Sequence, residues 1–390
     1  MSAVKIGHIE LPDHFRASPE ERRAVAQLAS ARLPFEVDIR WQMDRRPFVA
    51  EIIRVAQCPR VVPFEQWRPE LDKCKRGEIF VGLDRNRKPY RASFLTDDPH
   101  WGFEVGSRRG KSTFLSITAA QILHQDPGAS VTGIDVKRES FKALFGVPRL
   151  ILSNDPRNIT DMWDKVHEFR QEMDRRCDAR GEDPSLEFPF ALLMLDELSQ
   201  FSAQSQQLWR GMKEPKDPAH PPVWDDIAAI MWQGAAFRCH VLMAGQRIDH
   251  QITGGIGLIT SLGFRGLAGF RKQNWERLIG THPIPRSRPE RGRWIYSDGD
   301  SETWVQNLWA TDAEIKAYAM EVPGAGSTAA DATWLVGLAA GAGHLGLSVD
   351  AFRKRRERDP VPEEERRGNQ PMWRPGALDE WANAGNVPAA

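Results

Sequence analysis

The sequence predicts an α/β fold built on a mostly parallel, doubly wound sheet, and three observations support this prediction. The stretch Trp101–Thr113, WGFEVGSRRGKST, has the pattern of a strand, a glycine-containing loop and the start of a helix. The stretch Phe188–Glu197, FPFALLMLDE, is an apolar run that ends in two adjacent acids. Strands alternate with helices from about residue 100 to about residue 310, a pattern typical of a parallel sheet covered on both faces. Ligands of such sheets bind at the carboxyl ends of the strands.

The first stretch contains Gly110-Lys111-Ser112, the core of a phosphate-binding P-loop. In such a loop, backbone N–H groups surround the phosphates, the lysine reaches the β and γ oxygens, and the hydroxyl binds Mg²⁺. Alternating apolar residues precede the loop and helically spaced ones follow it, so the phosphates would lie at the positive end of a helix dipole. We therefore predict that the nucleotide is bound by Gly106, Ser107, Arg108, Arg109, Gly110, Lys111, Ser112 and Thr113.

The loop departs from the full pattern at one position. The motif G-x-x-x-x-G-K-[ST] places its first glycine at 105, where this chain has Val105 followed by Gly106. Either the loop is one residue shorter, or Gly106 makes the tight turn from a displaced position. Arg108 and Arg109 either add positive charge at the phosphates or face solvent. The alternative to a nucleotide site is a strand-to-helix turn that carries a chance Lys-Ser pair.

The second stretch has the form of a Walker B strand. Asp196 would hold the metal together with Ser112, mostly through water, and Glu197 would orient or deprotonate the attacking water. A buried strand that ends in two acids is common by itself. The two motifs together, with Asp196 and Glu197 as catalytic residues, predict a RecA-like ATPase that uses ATP and Mg²⁺.

Composition limits the classes of protein to consider. Lys plus Arg and Asp plus Glu each number 53, so any surface that binds nucleic acid must be local. The four cysteines form no CxxC pair and no metal-ligand spacing, which favours a reducing cytoplasm and argues against structural zinc. The first residues do not form a signal peptide, and the one long uncharged run, Ala332–Val349, is too rich in glycine to predict a membrane segment. We expect a soluble, cytoplasmic protein.

We divide the chain into four regions. Residues 1–70 are a helical N-terminal region in which Phe48–Val55 forms a second periodic segment, and residues 71–320 are the ATPase. Within the ATPase, Gly77–Phe94 is predicted to be a β-hairpin and Ser202–Pro222 a flexible insertion near the site. Residues 321–331 form a linker, and residues 332–390 form a small winged helix-turn-helix domain.

The C-terminal prediction depends on a basic helix. An apolar segment is followed by a turn at Gly346 and by Ser348, the predicted N-cap of the second helix. The segment GNQPMWRPGALDEW then resembles the wing and closing helix of small winged regulators. A helix of this kind lies in the major groove of DNA. The predicted DNA-binding residues are Arg353, Lys354, Arg355, Arg356 and Arg374. The alternative is a helical cap whose charges are only solvated.

The order of the motifs resembles the FtsK/SpoIIIE family of DNA translocases, including soluble plasmid-transfer proteins and phage-encoded members. The resemblance covers roughly residues 70 to 317 and is carried by GEIFVGLDRNRKPY, IDVKRESF, EMDRR, LMLDEL, HVLMAGQRID, FRGLAG with RLIG after it, and ERGRWIYSDGD. It implies a hexameric ring around double-stranded DNA with ATP bound between subunits. It also implies that Lys111 and Ser112 bind nucleotide and metal, and that Gln246 senses the γ-phosphate.

The sequence departs from this family at the arginine that reaches into the neighbouring subunit, a position that falls here at Ala235. Arg238 is the predicted replacement, and Arg247 and Arg265 are alternatives. Such an arginine finger contributes about 10³ to 10⁵ in rate in well-measured cases. If no arginine fills this role, we expect hydrolysis to be slow or absent.

These features leave two main hypotheses. The first is a DNA-translocating ATPase. The second is a sequence-specific DNA-binding protein for partition, replication or regulation, whose nucleotide site is a switch or a relic. A packaging motor would share the P-loop chemistry but should carry a nuclease domain, and no acidic cluster with nuclease spacing stands out in the last hundred residues.

Overall fold

The computed structural model describes residues 4–16, 18–33, 37–44, 46–54, 57–255, 257–281, 284–285, 287–299 and 301–321, together with short segments at 335–336, 349–358, 365–367, 370–373 and 381. The chain divides into two compact units, Met1–Met320 and Glu321–Ala390. Among the residues described, no helix has both the length and the apolar character that crossing a membrane requires.

The first unit alternates strands and helices along most of its length. Its strands are β1 (Val4–Glu10), β2 (Val37–Gln42), β3 (Val49–Arg54), β4 (Val62–Pro63), β5 (Glu78–Asp84), β6 (Pro89–Ser93), β7 (His100–Val105), β8 (Ser130–Asp135), β9 (Leu150–Ser153), β10 (Ala191–Asp196), β11 (Cys239–Gly245), β12 (Phe264–Ala268), β13 (Arg293–Ser297) and β14 (Glu302–Trp309). Its helices are α1 (Pro19–Arg32), α2 (Phe64–Leu71), α3 (Lys111–Gln125), α4 (Ile159–Glu182), α5 (Leu198–Met212), α6 (Val223–Gln233), α7 (Lys272–Leu278) and α8 (Asp312–Met320).

The main sheet has the strand order β6-β5-β14-β13-β12-β7-β11-β10-β8-β9, and β4 pairs with β14. The strands from β12 to β9 in this order are all parallel, whereas β13, β14, β5 and β6 extend the sheet by antiparallel pairing. The prediction of a mixed α/β fold with a large, mostly parallel sheet is therefore confirmed.

Helices cover both faces of the sheet because its strands are apolar on both sides. In β10, Leu192 and Met194 belong to the core cluster that also contains residues of α3 and α8. Leu193 and Leu195, which alternate with them, belong to the cluster formed with α4, α5, α6 and α7. Successive side chains of a strand point to opposite faces, so this strand is buried from both sides.

The N-terminal residues differ from the helical region that we predicted for 1–70. Helix α1 is present, and its N-cap Ser18 accepts a hydrogen bond from the Glu21 N–H at 3.2 Å. The second periodic segment is instead strand β3, which lies between β1 and β2 in a separate antiparallel sheet. Its β-branched residues Val49, Ile52 and Ile53 favour a strand, and this preference outweighs the helical spacing.

The predicted flexible insertion at Ser202–Pro222 is wrong in its first half, where α5 continues to Met212. Leu198, Phe201 and Ser205 are buried at helical spacing, so the polar residues between them occupy the exposed face of an amphipathic helix. Only the proline-rich part that follows, from 213 to 222, is a connection between helices.

The second unit contains helix α9 (Val349–Arg358) and strands β15 (Leu335–Val336), β16 (Glu365–Arg367) and β17 (Gln370–Trp373), which form an antiparallel sheet in the order β15-β17-β16. Phe352 of α9 is fully buried, and its ring lies edge-on to that of Trp381 at 5.9 Å. The predicted turn at Gly346 and Ser348, and Arg374 of the predicted wing, lie outside the described residues. The winged helix-turn-helix stays a prediction.

Candidate functional site

The predicted P-loop connects β7 to α3. Strand β7 ends at Val105, residues 106–110 form the loop, and α3 begins at Lys111. Gly110 has a φ of 92°, in the left-handed region that glycine adopts without strain. The N–H of Gly106 donates to the carbonyl of Ala268 at 2.8 Å, and a side chain at Gly106 would begin 3.2 Å from the Gly269 carbonyl oxygen. The path of the loop therefore favours glycine at 110, and a side chain at 106 would require the Gly269 carbonyl to shift by a few tenths of an ångström.

Val105 lies in the strand and does not enter the loop. Its side chain is 1% exposed within the core beside α3, and its backbone pairs with Ala268 of β12. The loop from Gly106 to Gly110 is therefore one residue shorter than the full motif. Valine at this position does not block the space where phosphates would lie.

The two arginines of the loop have different environments. Arg108 is exposed and has a φ of 61°. The Arg109 guanidinium donates to the carbonyl of Pro289, while the Arg109 carbonyl accepts from the Gly292 N–H at 3.0 Å and from the Trp294 indole N–H at 2.8 Å. Arg109 therefore attaches the loop to the turn before β13, and its role at the phosphates stays a prediction.

The predicted acids lie at the carboxyl end of β10. Asp196 is the last residue of the strand and is 1% exposed, and Glu197 follows it with a left-handed φ of 52°. The Lys111 ammonium contacts the Asp196 carboxylate directly and lies 2.7 Å from Glu197 Oε1. The P-loop lysine and both acids thus meet at one point, although β11 lies between β7 and β10 in the sheet.

A second lysine and a serine complete this cluster. Lys137 Nζ lies 2.8 Å from Glu197 Oε2, and the Ser140 hydroxyl donates to the Asp196 carboxylate. Both residues come from the loop after β8. Asp135, which pairs with Asp196 in register, shapes this loop by accepting hydrogen bonds from the Lys137 N–H at 3.2 Å and the Ser140 N–H at 2.8 Å.

The acids differ in basicity. Burial raises the pKa of Asp196 above its ordinary value, although contacts with Lys111 and Ser140 oppose this effect. Burial also acts on Glu197, but the hydrogen bonds from Lys111 and Lys137 outweigh it and hold the pKa of Glu197 below its ordinary value. Glu197 is therefore kept as a carboxylate, the form that can accept a proton from water.

The oxygen atoms at this point fit the preferences of Mg²⁺. Ser112 Oγ lies 3.2 Å from Ser140 Oγ, which in turn donates to Asp196. Hydroxyl and carboxylate oxygens are ligands that Mg²⁺ accepts, and this ion usually takes only one or two protein carboxylates beside the phosphates of a nucleotide. Within the described ranges, no group of three or more His, Cys, Asp or Glu side chains could hold a metal without such phosphates. Ser112 and Asp196 are the residues that would hold it.

Gln246 lies beside the P-loop. It follows β11, the strand between β7 and β10, and its Nε2 lies 3.5 Å from the Ser107 hydroxyl. A glutamine at this place is within reach of a group bound by the loop.

The three arginines considered for the arginine finger differ in position, contacts and exposure. Arg238 precedes β11, at the end of the strand opposite to Gln246. Arg265 donates to the carbonyls of Leu262 and, at 2.8 Å, Leu278, so its guanidinium is used inside its own unit. Arg247 has a side chain that is 56% exposed and contacts Asp249. Arg247 is the exposed arginine nearest in sequence to the site glutamine.

The sequence prediction missed Lys137 and Ser140, and it missed a cleft beside the P-loop. The cleft has a volume of about 210 Å³ and is lined by Ser112, Thr113, Ser116, Glu139, Lys142, Ala143, Arg291, Asp312 and Ile315. Arg291 also lies next to the loop, because a side chain at Gly110 would begin 4.0 Å from its Cγ. The IDVKRESF stretch contains Lys137 and Ser140, but local pattern alone does not indicate that its loop folds back onto the Walker B acids.

The predicted DNA-binding residues lie mostly on α9. Arg353 and Lys354 are exposed. The Arg355 guanidinium lies 4.5 Å from the ring centroid of Trp381, so this arginine packs within the second unit. Arg356 belongs to the same helix, and Arg374 lies outside the described residues.

No protein-family model matches the sequence, and a search of curated proteins finds no match. The structure is similar to that of the pCW3 conjugation coupling protein TcpA in its monomer form with ATPγS, with a TM-score of 0.53, 15% identity, and coverage of 80% of this chain and 89% of that one. It is also similar to the cytoplasmic domain of the Thermomonospora curvata type VII secretion ATPase EccC, with a TM-score of 0.51, 18% identity, and coverage of 64% of this chain and 32% of that one. The chain therefore shares its fold with these two proteins.

Proposed function

We propose that this chain is an ATPase that couples the hydrolysis of Mg-ATP to the translocation of double-stranded DNA, as in the FtsK/SpoIIIE family. The observation that carries the proposal is the meeting of Lys111 with Asp196 and Glu197 at the carboxyl ends of parallel strands. A chance Lys-Ser pair in a structural turn would not be expected to contact two acids of β10, a strand that is not adjacent to β7.

The residues of the site have distinct roles in this proposal. The N–H groups of the loop and the start of α3 bind the β and γ phosphates, and Lys111 moves from the acids to the phosphate oxygens. Ser112 and Asp196 would hold Mg²⁺, which would neutralise charge on the phosphates. Glu197 accepts the proton of the attacking water, and Lys137 remains beside it as the charged partner after Lys111 has moved. Gln246 hydrogen-bonds the γ-phosphate.

The nucleoside part of ATP fits the cleft beside Ser112 and Thr113. This cleft begins at the first turn of α3, where the phosphates would end, and it carries Arg291 and Asp312 on its wall. We assign the cleft to the ribose and base, with Arg291 close enough to Gly110 to contact a phosphate oxygen.

DNA is the favoured substrate of the motor for two reasons. One solved structure that this chain covers along most of its length is a conjugation coupling protein, whereas the chain covers about a third of the secretion ATPase EccC. The second unit also presents Arg353 and Lys354 on an exposed helix face. In the proposed hexameric ring, Arg247 is a stronger candidate for the arginine finger than Arg238, because it is exposed at the same edge of the sheet as the site.

The test is the steady-state ATPase rate with and without linear duplex DNA. We expect DNA to increase the rate, and we expect Lys111→Ala to reduce it to background in the same assay. Displacement of a triplex-forming strand from a duplex reports translocation directly, and it should require ATP. No stimulation by DNA, or full activity of the Lys111→Ala variant, would exclude the proposal.

The shortened P-loop and the alanine at the usual finger position favour a second candidate, a sequence-specific DNA-binding protein with a nucleotide site used as a switch or a relic. It predicts tight binding of the full chain to one DNA sequence and negligible turnover. Steady multiple turnover of ATP would exclude it, and selection of bound sequences from a random duplex pool would support it.

A further inference from the structure

A buried carboxylate stands one residue before the end of the strand that enters the P-loop. Glu104 of β7 is 2% exposed and belongs to neither apolar core, although its neighbours Phe103 and Val105 are core residues. A carboxylate at such a place costs free energy unless its oxygens are fully hydrogen-bonded and its charge is paired. Its partners therefore indicate why the residue is present.

The partners of Glu104 come from two segments that both follow strands of the sheet. Its Oε1 accepts from the backbone N–H of Ile248 and from the Arg277 guanidinium, each at 2.6 Å, and its Oε2 accepts from the Asn274 amide at 2.9 Å. Arg277 also donates to the Ile248 carbonyl at 3.1 Å. Ile248 lies in the segment after β11, and Asn274 and Arg277 belong to α7, which follows β12.

Glu104 lies between β11 and β12, the two strands that these segments follow. Glu104 pairs with Gly245 of β11 on one side and with Leu267 of β12 on the other. It therefore joins the exits of three adjacent strands, and one of these exits is the P-loop. The segment that it holds through Ile248 contains Gln246, whose side chain lies 3.5 Å from Ser107 of the loop.

We propose that Glu104 is a positioning residue that fixes Gln246 relative to the P-loop, and that it acts through the backbone of Ile248 and the side chain of Arg277. The inference rests on the ATPase function proposed above. Its physical basis is that the two Ile248 backbone groups are held by one charged pair, so residues 246–248 cannot shift without breaking charge-assisted hydrogen bonds. Removing the charge would let Gln246 move, and a displacement of about 1 Å at a catalytic site can cost about 100-fold in rate.

The experiment uses Glu104→Gln and the milder Arg277→Lys, which keeps a cation but loses the two-sided contact. The controls are Glu172→Gln and Arg176→Lys, because Arg176 is a buried arginine with the same kinds of partner. Arg176 pairs with Glu172 at 2.9 Å and donates to the carbonyls of Pro189 at 2.8 Å and Phe237 at 3.0 Å. These two carbonyls lie just before β10 and β11 begin, at the edge of the sheet opposite to the P-loop. Stability of all four variants is compared by thermal unfolding.

For each folded variant, kcat and KM for Mg-ATP are measured with linear duplex DNA present. We expect the site variants to lose at least about tenfold in kcat with KM changed less than about threefold, because the group that they displace acts on the transition state. The controls are expected to lower the unfolding temperature while kcat stays at the wild-type value. Equal loss of kcat in the controls would reduce the role of Glu104 to stability and overturn the inference.

A double variant distinguishes positioning of Gln246 from any other effect. If Glu104 acts through Gln246, Glu104→Gln/Gln246→Ala has the kcat of Gln246→Ala alone, whereas independent effects would multiply. Multiplied effects overturn the inference and leave the ATPase proposal standing. A wild-type rate equal to that of Lys111→Ala overturns the ATPase proposal itself, and the inference falls with it.

Discussion

Replacing His240 by phenylalanine is expected to make the stability of the first unit less sensitive to acid. His240 and His100 lie side by side at the amino ends of β11 and β7, and each is 1% exposed. Neither Nε2 atom has a hydrogen-bond partner among the residues that the structure describes. Burial lowers the pKa of His240 to about 3 and the pKa of His100 to about 4. Both rings are therefore neutral in the folded protein at pH 5.

The sign of the effect follows from the unfolded chain, in which a histidine has a pKa of about 6.5. Above that value neither state binds the proton, so the stability is fully present. Below it the unfolded state binds a proton that the folded state excludes, and each histidine costs about 1.4 kcal/mol per pH unit until its folded pKa is reached. At pH 5 the loss is about 2 kcal/mol for each histidine, a large part of a typical stability of about 5 to 15 kcal/mol.

The assay is denaturant unfolding of the wild type and of His240→Phe at pH 7 and at pH 5. The variant loses the contact between His240 Nδ1 and the Pro99 carbonyl at 2.9 Å, so it should be less stable at pH 7. Its loss of stability between the two pH values should nevertheless be smaller by about 2 kcal/mol. Phe190→Leu is the matched control, because the ring of Phe190 stacks on His240 at 4.6 Å and carries no titratable group. An unchanged pH dependence in His240→Phe would refute the reasoning.

Three further predictions concern the proposed site and the basic helix. Lys137→Met removes the cation that lies 2.8 Å from Glu197, so the pKa of Glu197 should rise. The acid limb of the kcat–pH profile should then move to higher pH, and a limb that does not move would contradict this role of Lys137. Arg291→Ala should raise KM for ATP about fivefold with little change in kcat, because it loses a charge-assisted contact with a phosphate worth about 1 kcal/mol. Steady-state kinetics would measure both constants. The double change Arg353→Ala/Lys354→Ala should weaken binding of the full chain to duplex DNA. Because two phosphate contacts are lost, the slope of log affinity against log salt concentration should become shallower by about two. Filter binding at several salt concentrations would test this.

The sequence was sufficient to predict the parts of the fold that depend on local pattern. The strand before Gly106, the helix after Lys111 and the apolar strand that ends at Asp196 are each defined by residues adjacent in the chain, and the structure has all three. The shorter P-loop was also one of the two alternatives that the sequence left open. It was settled by Val105, which packs as a core residue of the strand.

The parts that were missed depend on contacts between distant segments. Lys137 and Ser140 reach the acids because Asp135 bends the loop after β8, and nothing in the local pattern specifies that bend. Helix α5 was mistaken for a flexible segment because serine and glutamine dominate its exposed face. Glu104 did leave a signal, since a lone acid inside the apolar strand WGFEV is unusual unless it is paired.

The most direct test of the central claim is the rate of phosphate release from saturating Mg-ATP by the wild type and by Glu197→Gln, with nucleotide affinity measured on the same preparations. If Glu197 is the base that Lys137 keeps ionised after Lys111 has moved to the phosphates, the variant should bind ATP with nearly unchanged affinity and lose at least about 100-fold in rate. Equal rates in the two proteins would contradict the assignment of this cluster as the site of ATP hydrolysis.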